Sequence, residues 1–263
     1  MPNPPASLFR VKKRLDVLLV ERGLAESRTQ AQALVMAGRV PGFDKAGQQV
    51  DEAAELELTE RPRFVSRGGE KLDHALDVFG VDPEGRNCLD VGASTGGFTD
   101  VLLQRGAAHV IALDVGRAQL HERLREDPRV TVMESVNARH LTDLPFQPQL
   151  VTCDVSFISL RQALPPVLAL SEPEWEAVVL VKPQFEAGRS EVKGGVVRSP
   201  EVHRAVLHGV AEAALDWDAA TVGITDSGLP GPKGNREYFL HLVHRERPEL
   251  PRELDDWIQD AVG

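Results

Sequence analysis

Seven short, mostly apolar runs between residues 87 and 243 constrain the fold more than any other feature of this sequence. They read NCLDVGA, HVIALDV, RVTVME, QLVTCDV, AVVLVKP, AATVGITD and EYFLHLV. Runs that are apolar throughout are typical of strands covered on both faces. Helical patterns separate them near residues 97–105, 116–126, 160–170 and 200–215. We therefore predict an α/β fold with a seven-stranded, mostly parallel sheet. The segment SGLPGPKGNR is too short for a crossover helix, so the seventh strand should run antiparallel to the others.

The composition favours a protein with a core of its own and gives no sign of a membrane partner. The chain has 263 residues, of which 42% are hydrophobic. No apolar stretch reaches the length of about 18 residues that a membrane span needs, and MPNPPASLFRVKKRLD lacks the apolar run of a signal peptide. We expect a cytoplasmic protein. Cys88 and Cys153 lie inside apolar runs, which favours reduced, buried thiols; they provide no metal-ligand spacing, and no metal is predicted.

The N-terminal region reads as a small, separate α+β domain. The net charge of the chain is −10, yet basic residues outnumber acidic ones between residues 10 and 39. Apolar positions recur at helical spacing around Leu15 and again around Leu34, which predicts two short helices. Gly23 is placed to end the first helix and Ser27 to cap the second. RVPGFDKAGQQVDEAAELEL then predicts a short hairpin, and a domain boundary near Pro62 gives domains 1–62 and 63–263.

This N-terminal stretch resembles the alpha-L RNA-binding motif, a small module of several RNA-modifying enzymes. The matching residues are Arg14, Leu15, Asp16, Leu18, Leu19, Gly23, Leu24, Ser27, Arg28, Ala31, Leu34, Gly38 and Val40. The resemblance implies that Arg14, Arg28 and Arg39 contact the RNA backbone. Arg67, in the basic segment after Pro62, is added to the predicted RNA-binding residues. The connection PGFDKAGQQ is longer than the tight Asn-Gly turn usual in the family, and an ordinary solvated helical hairpin is the alternative.

The stretch CLDVGASTGGFTDVLL, residues 88–103, has the strand, glycine turn and helix of a nucleotide site. It places Asp90 where a dinucleotide-binding fingerprint needs its first glycine. An acidic residue there suits a ligand with an ammonium and a sulfonium. Asp114 follows the second strand, where it suits the hydroxyls of a ribose, and Asn137 follows the third strand, where it suits an adenine. These residues favour S-adenosylmethionine (SAM), the alternatives being a dehydrogenase or a fold without a ligand. The predicted cofactor-binding residues are Asp90, Gly92, Ala93, Ser94, Thr95, Gly96, Gly97, Phe98, Asp114, Asn137 and Asp154.

Four ionisable residues should meet at the same edge of the sheet. Asp154 and Lys182 end the fourth and fifth predicted strands, Glu237 opens the seventh, and Lys71 lies in the first turn of a helix in SRGGEKLDHALDVFG. Charged groups at the ends of buried strands are costly unless they are paired or hydrated. Their convergence indicates a catalytic site, and an ion pair that closes the sheet edge is the structural alternative.

The motifs SRGGEKL, LDVGASTGGFTDVLLQRGA, DVSFISL, VKPQFE and LPGPKGNREYF resemble the TlyA family, also labelled hemolysin A. Its members join the RNA-binding module to a Rossmann-like methyltransferase domain of the FtsJ type. The resemblance implies a Lys-Asp-Lys-Glu tetrad at Lys71, Asp154, Lys182 and Glu237. It also implies SAM as cofactor, ribosomal RNA in ribosomal subunits as partner, and methylation of a cytidine 2′-hydroxyl in 16S or 23S RNA or both.

A ribose hydroxyl is a poor nucleophile near neutral pH, so we hypothesise that Lys182 removes its proton during transfer. Phe185 would stack on the displaced base of the target nucleotide, unless it belongs to the core. Two other function classes stay open: a membrane-active hemolysin, and an RNA-binding assembly factor that binds SAM without turnover.

Overall fold

A computed structural model of the protein describes residues 12–36, 39–43, 45–59, 63–244 and 252–263. The chain divides into two compact units, Met1–Arg63 and Phe64–Gly263. Pro62, where the domain boundary is predicted, and Gly38 of the RNA-binding motif lie outside the described residues.

The small unit contains the two predicted helices. Its elements are β1 (Lys12–Arg14), α1 (Leu15–Glu21), α2 (Arg28–Met36) and β2 (Gln49–Asp51). Gly23 follows α1 with a left-handed φ of +70°, and Ser27 Oγ accepts the Gln30 N–H at 3.2 Å, as expected for the end and the cap of these helices. The apolar faces of both helices bury Leu15, Leu19 and Leu34 in one core.

The predicted hairpin in the small unit is wrong. β2 pairs antiparallel with β1, which precedes the first helix, so that Lys13 lies opposite Val50. Between them the chain forms turns, with the Gln48 N–H bonded to the carbonyl of Lys45. The partner strand KKR has no alternation of apolar and polar residues, so local patterning gives no sign of this long-range pairing.

The large unit has the predicted seven-stranded sheet. Its elements are α3 (Arg67–Phe79), β3 (Asn87–Val91), α4 (Gly97–Gln104), β4 (His109–Asp114), α5 (Glu122–Arg125), β5 (Val130–Glu134), β6 (Leu150–Cys153), α6 (Leu160–Leu168), β7 (Glu176–Val181), α7 (Pro183–Glu186), α8 (Pro200–Leu215), β8 (Ala219–Asp226), β9 (Tyr238–His244) and α9 (Leu254–Val262). The strand order is β5-β4-β3-β6-β7-β9-β8. β9 runs antiparallel to both of its neighbours, β7 and β8, which confirms the prediction for the last strand.

Both faces of this sheet are covered, as the apolar runs predict. In β3, Leu89 and Val91 face a core shared with α6, α8 and α9, whereas Cys88 faces a core shared with α3 and α4. Cys88 and Cys153 are free thiols and fully buried, which confirms that they form no disulfide, and burial raises the pKa of the Cys88 thiol to about 12. Among the helices of the described residues, none combines the length and apolar character needed to span a membrane.

The helix predicted over 116–126 is wrong in its first half, because only the single turn α5 forms there. Asp114 Oδ1 accepts the Gly116 N–H at 2.6 Å, and Ala118 has a left-handed φ of +53°. The left-handed φ of Ala118 is incompatible with a regular right-handed helix that starts directly after β4. The residues after β4 therefore form a turn at the carboxyl edge of the sheet.

Candidate active site

Three neighbouring strands place acidic and basic side chains at one edge of the sheet. Asp154 follows β6 and Lys182 follows β7, both at the carboxyl ends of parallel strands. Because β9 runs antiparallel, its first residues lie at this same edge, and Val181 of β7 pairs with Tyr238. Glu237, directly before β9, is thereby brought next to Lys182. Topology alone assembles three of the four predicted catalytic residues.

The fourth, Lys71, reaches this edge from α3, and the four side chains form two ion pairs. Lys71 Nζ lies 2.6 Å from Glu237 Oε2, and Lys182 Nζ pairs with Asp154 Oδ1. Lys182 Nζ also donates to Ser156 Oγ at 3.0 Å. Glu237 is fully buried and the Lys71 side chain is only 10% exposed, so this pair is almost completely removed from water. Because α3 begins at Arg67, Lys71 lies in its second turn rather than in the predicted first turn.

Two joined cavities open at this edge. The first, of about 360 Å³, is lined by all four charged residues together with Arg67. The second, also of about 360 Å³, is lined by Asp114, Asn137 and apolar side chains. The residues that line both cavities are Gly92, Ser94 and Asp154. An elongated ligand can therefore run from the second cavity to the ion pairs.

The glycine turn after β3 supplies one wall of the first cavity. Ala93, Thr95, Gly97 and Phe98 line it, as the sequence predicts. Gly92 has a φ of +84°, and a Cβ atom there would lie 2.5 Å from the carbonyl oxygen of Asp154. Only glycine fits this position, because a side chain would push the turn away from the strand that carries Asp154.

Asp114 and Asn137 line the second cavity with part of their hydrogen-bonding capacity in use. The carboxylate of Asp114 accepts the Ser94 N–H at 2.8 Å and the Gly116 N–H at 2.6 Å, one on each oxygen. Asn137 Oδ1 accepts the Arg139 N–H at 3.1 Å. These bonds fix the orientation of both side chains, and each carboxylate oxygen of Asp114 keeps a lone pair for a hydroxyl group.

Two of the predicted cofactor-binding residues lie outside both cavities. Asp90 is fully buried, and its Oδ2 accepts the N–H and the hydroxyl of Thr99 at 2.8 and 2.7 Å. Burial raises the pKa of this carboxyl to about 7. A Cβ atom at Gly96 would lie 2.3 Å from Leu124 Cδ1, so this glycine allows close packing of α5. Asp90 and Gly96 shape the turn from behind, and their role in cofactor binding stays a prediction.

A third cavity, of about 340 Å³, adjoins Lys182 and Glu237 on the other side. Phe185 lines it and is therefore not a core residue. Its ring centroid lies 5.0 Å from that of Phe157, which is 91% exposed and has a left-handed φ of +65°. A large exposed aromatic ring held by a strained backbone is typical of a functional position. Sequence reasoning missed Phe157, because nothing distinguishes it within DVSFISL.

In the small unit, two of the predicted RNA-binding arginines converge on one buried carboxylate. Arg14 donates to both oxygens of Asp16 at 3.0 and 2.9 Å, and Arg28 donates to Oδ2 at 3.1 Å. The Arg14 guanidinium holds the pKa of the Asp16 carboxyl well below its usual range. The side chains of Arg14 and Arg28 remain 44% and 58% exposed. Arg39 instead donates to the carbonyl of Thr59 at 2.8 Å.

The strand order, the antiparallel β9 and the paired cavities at the carboxyl edge define a Rossmann-like fold of the methyltransferase class. The chain belongs to the FtsJ-like methyltransferase family, whose model matches residues 64–244. An S4 domain matches residues 13–40. Both findings confirm the resemblances found in the sequence.

Known relatives match most of the chain. The 16S/23S rRNA (cytidine-2′-O)-methyltransferase TlyA of Mycobacterium tuberculosis is 45% identical, over 96% of this chain and 98% of its own length. The 23S rRNA (cytidine-2′-O)-methyltransferase TlyA of Campylobacter jejuni is 35% identical, over 68% of this chain and 71% of its own. A solved structure from Streptococcus thermophilus, described as a hemolysin, aligns with a TM-score of 0.74 at 42% identity and covers 95% of both chains.

Proposed function

We propose that this protein uses SAM to methylate the 2′-hydroxyl of a cytidine in ribosomal RNA. The observation that carries the proposal is the pair of ion pairs, Lys71–Glu237 and Lys182–Asp154, at the junction of the cavities. The names of the relatives supply the substrate class. This chain matches nearly the whole length of the relative named for both 16S and 23S RNA, so we propose both ribosomal subunits as substrates and the cytoplasm as the place of action.

The residues around the two joined cavities fit SAM. Asp114 offers a carboxylate to two vicinal hydroxyls of a ribose, and Asn137 lies beside the apolar wall formed by Val115 and Ile158, which suits an adenine. The turn at Gly92 lets the backbone approach the ligand closely on the way to Asp154. SAM, when bound, supplies a methyl group already activated by its sulfonium. The protein therefore has to place and deprotonate the acceptor rather than activate the donor.

Lys182 is the residue we propose as general base. Lys182 lines both the first and the third cavity, so it lies between the proposed cofactor side and the proposed RNA side. In its neutral form, Nζ accepts the proton of the 2′-hydroxyl as that oxygen takes up the methyl group. A positioned base of this kind contributes roughly 10²- to 10⁴-fold to the rate. Asp154 and Ser156 fix the direction of the amine, while Lys71 and Glu237 neutralise each other beside it.

The remaining contacts with RNA follow from exposed aromatic and basic groups. Phe157 and Phe185 offer ring faces on which an extruded base can stack, which suits a target inside folded RNA. Arg67 lines the first cavity and can meet a phosphate next to the target. In the small unit, the half-exposed guanidiniums of Arg14 and Arg28 are preset by Asp16 to bind phosphate oxygens.

Transfer of labelled methyl from SAM to ribosomal subunits tests the proposal. Small and large subunits from cells lacking the protein are incubated separately with the full chain, and the RNA is then digested with alkali. Because a 2′-O-methyl group blocks attack on the adjacent phosphodiester, we expect label in alkali-resistant dinucleotides that begin with cytidine. Label only in mononucleotides would exclude ribose methylation, because a methyl group on the base leaves the adjacent phosphodiester open to alkali. Binding to subunits without transfer would identify an assembly factor, and lysis of erythrocytes without transfer would identify a hemolysin.

A further inference from the structure

Gln184 lines the third cavity, and its buried side-chain oxygen is a hydrogen-bond acceptor that no described residue uses. We propose that this acceptor, Oε1, binds the exocyclic amine of the target cytosine and so selects cytidine over uridine. The inference rests on the proposed function, because it concerns the base whose ribose is methylated.

The orientation of the Gln184 amide follows from its neighbour. Gln184 lies in α7, two residues after Lys182, and its Nε2 donates to Glu237 Oε1 at 3.3 Å. An ionised carboxylate only accepts hydrogen bonds, so the amide must turn its NH₂ group toward Glu237. The carbonyl oxygen Oε1 then points away from Glu237. This oxygen is buried and has no hydrogen-bond partner among the described residues.

A buried acceptor without a partner is uncommon in a folded protein, and a ligand that supplies a donor is one way to satisfy it. Gln184 lines the third cavity together with Lys182, Phe157 and Phe185. The same cavity thus holds the amine proposed to receive the 2′-hydroxyl proton and the two rings on which a base can stack. A nucleotide whose hydroxyl reaches Lys182 brings its base into the space that Gln184 borders.

The chemistry of a nucleotide within RNA limits what can donate to Oε1. The 3′ and 5′ oxygens of the target are phosphodiester oxygens and carry no proton. The donors left in a cytidine are its 2′-hydroxyl and its exocyclic amine, and the hydroxyl is directed to Lys182 in the proposed reaction. Uridine carries a carbonyl oxygen in place of the amine. Two facing acceptors repel each other, and uridine could pair with Oε1 only by shifting until its N3–H, rather than O4, faces this oxygen, so the position that suits cytidine disfavours uridine.

The test compares ribosomal subunits that carry either the natural cytidine or a C-to-U change at the position that the wild-type protein modifies. For each substrate, kcat/KM of methyl transfer is measured with the full chain, with Gln184→Met and with Gln162→Met. Gln162 is exposed on α6 and serves as a control with the same chemical change outside the cavity. We expect Gln184→Met to reduce the preference for cytidine over uridine by at least about tenfold. The control should keep the wild-type preference.

A purely structural role of Gln184 predicts a different result. Loss of the bond to Glu237 alone would slow transfer to both substrates equally and leave their ratio unchanged, which would overturn the inference. Gln184→Glu retains an acceptor and covers the case in which the methionine variant fails to fold. It should keep the cytidine preference within about threefold at a lower rate, and loss of that preference would also overturn the inference. Absence of transfer by the wild-type protein to cytidine-bearing subunits would instead refute the proposed function itself.

Discussion

Replacing Lys71 with methionine tests whether Lys71 and Glu237 act as one linked unit. Their charged atoms lie 2.6 Å apart, and the Glu237 side chain is fully buried. At an effective dielectric constant of about 20, two unit charges at this distance attract by about 6 kcal/mol. Removal of one partner leaves the other charge buried and uncompensated. We therefore expect Lys71→Met to lower the free energy of unfolding by about 3–5 kcal/mol.

A double variant distinguishes the stability lost through the unpaired charge from the stability lost through altered packing. When Glu237→Gln is added to Lys71→Met, neither charge of this pair remains, so at least half of the lost stability should return. All three tryptophans of the chain, Trp175, Trp217 and Trp257, lie in the large unit, so their fluorescence during urea unfolding reports on that unit. The exposed Lys193, changed to methionine, serves as the control.

Two outcomes would refute this reasoning. One is a loss of less than about 1 kcal/mol in Lys71→Met, which would mean that the carboxylate of Glu237 finds water or another partner. The other is a double variant whose loss equals the sum of the two single losses, because independent residues add in this way and paired residues do not.

Three further substitutions have defined outcomes. Asp16→Asn should destabilise the small unit by about 1–3 kcal/mol above about pH 4, an effect that fades in acid as the wild-type carboxyl is protonated, measured by circular dichroism. Gly92→Ala should abolish SAM binding in calorimetry, because its Cβ would lie 2.5 Å from the Asp154 carbonyl oxygen. With its pKa raised to about 7, Asp90 binds its proton more tightly in the folded state. Stability should therefore fall between about pH 4 and 7, at up to about 1.4 kcal/mol per pH unit, and Asp90→Asn should remove this slope in urea titrations.

The sequence predicts the sheet well because its strands carry a local signal. Runs such as VVLV can only be buried on both faces, and the short link before the last strand leaves an antiparallel return as its simplest path. The small two-stranded sheet has no such signal, since β1 is the charged tripeptide KKR and its partner lies far along the chain. The turn after β4 contains Ala118 with a left-handed φ, a backbone feature that helical periodicity does not detect.

The candidate site likewise has features that the sequence predicts and features that it does not. The position of Asp154, Lys182 and Glu237 at one edge follows from strand order, so their convergence could be predicted. The Lys71–Glu237 pair could not, because it depends on where α3 places Lys71. Asp90 was expected to face a ligand, but its carboxylate turns to Thr99 inside the fold.

The proposed role of Lys182 in proton removal is tested most directly by single-turnover methyl transfer with Lys182→Met. SAM affinity is measured on the same protein, so that chemistry is separated from binding. The account predicts a rate lower by roughly 10²- to 10⁴-fold with SAM affinity changed by less than about threefold. A variant that transfers methyl to the ribose at a rate close to wild type would contradict it.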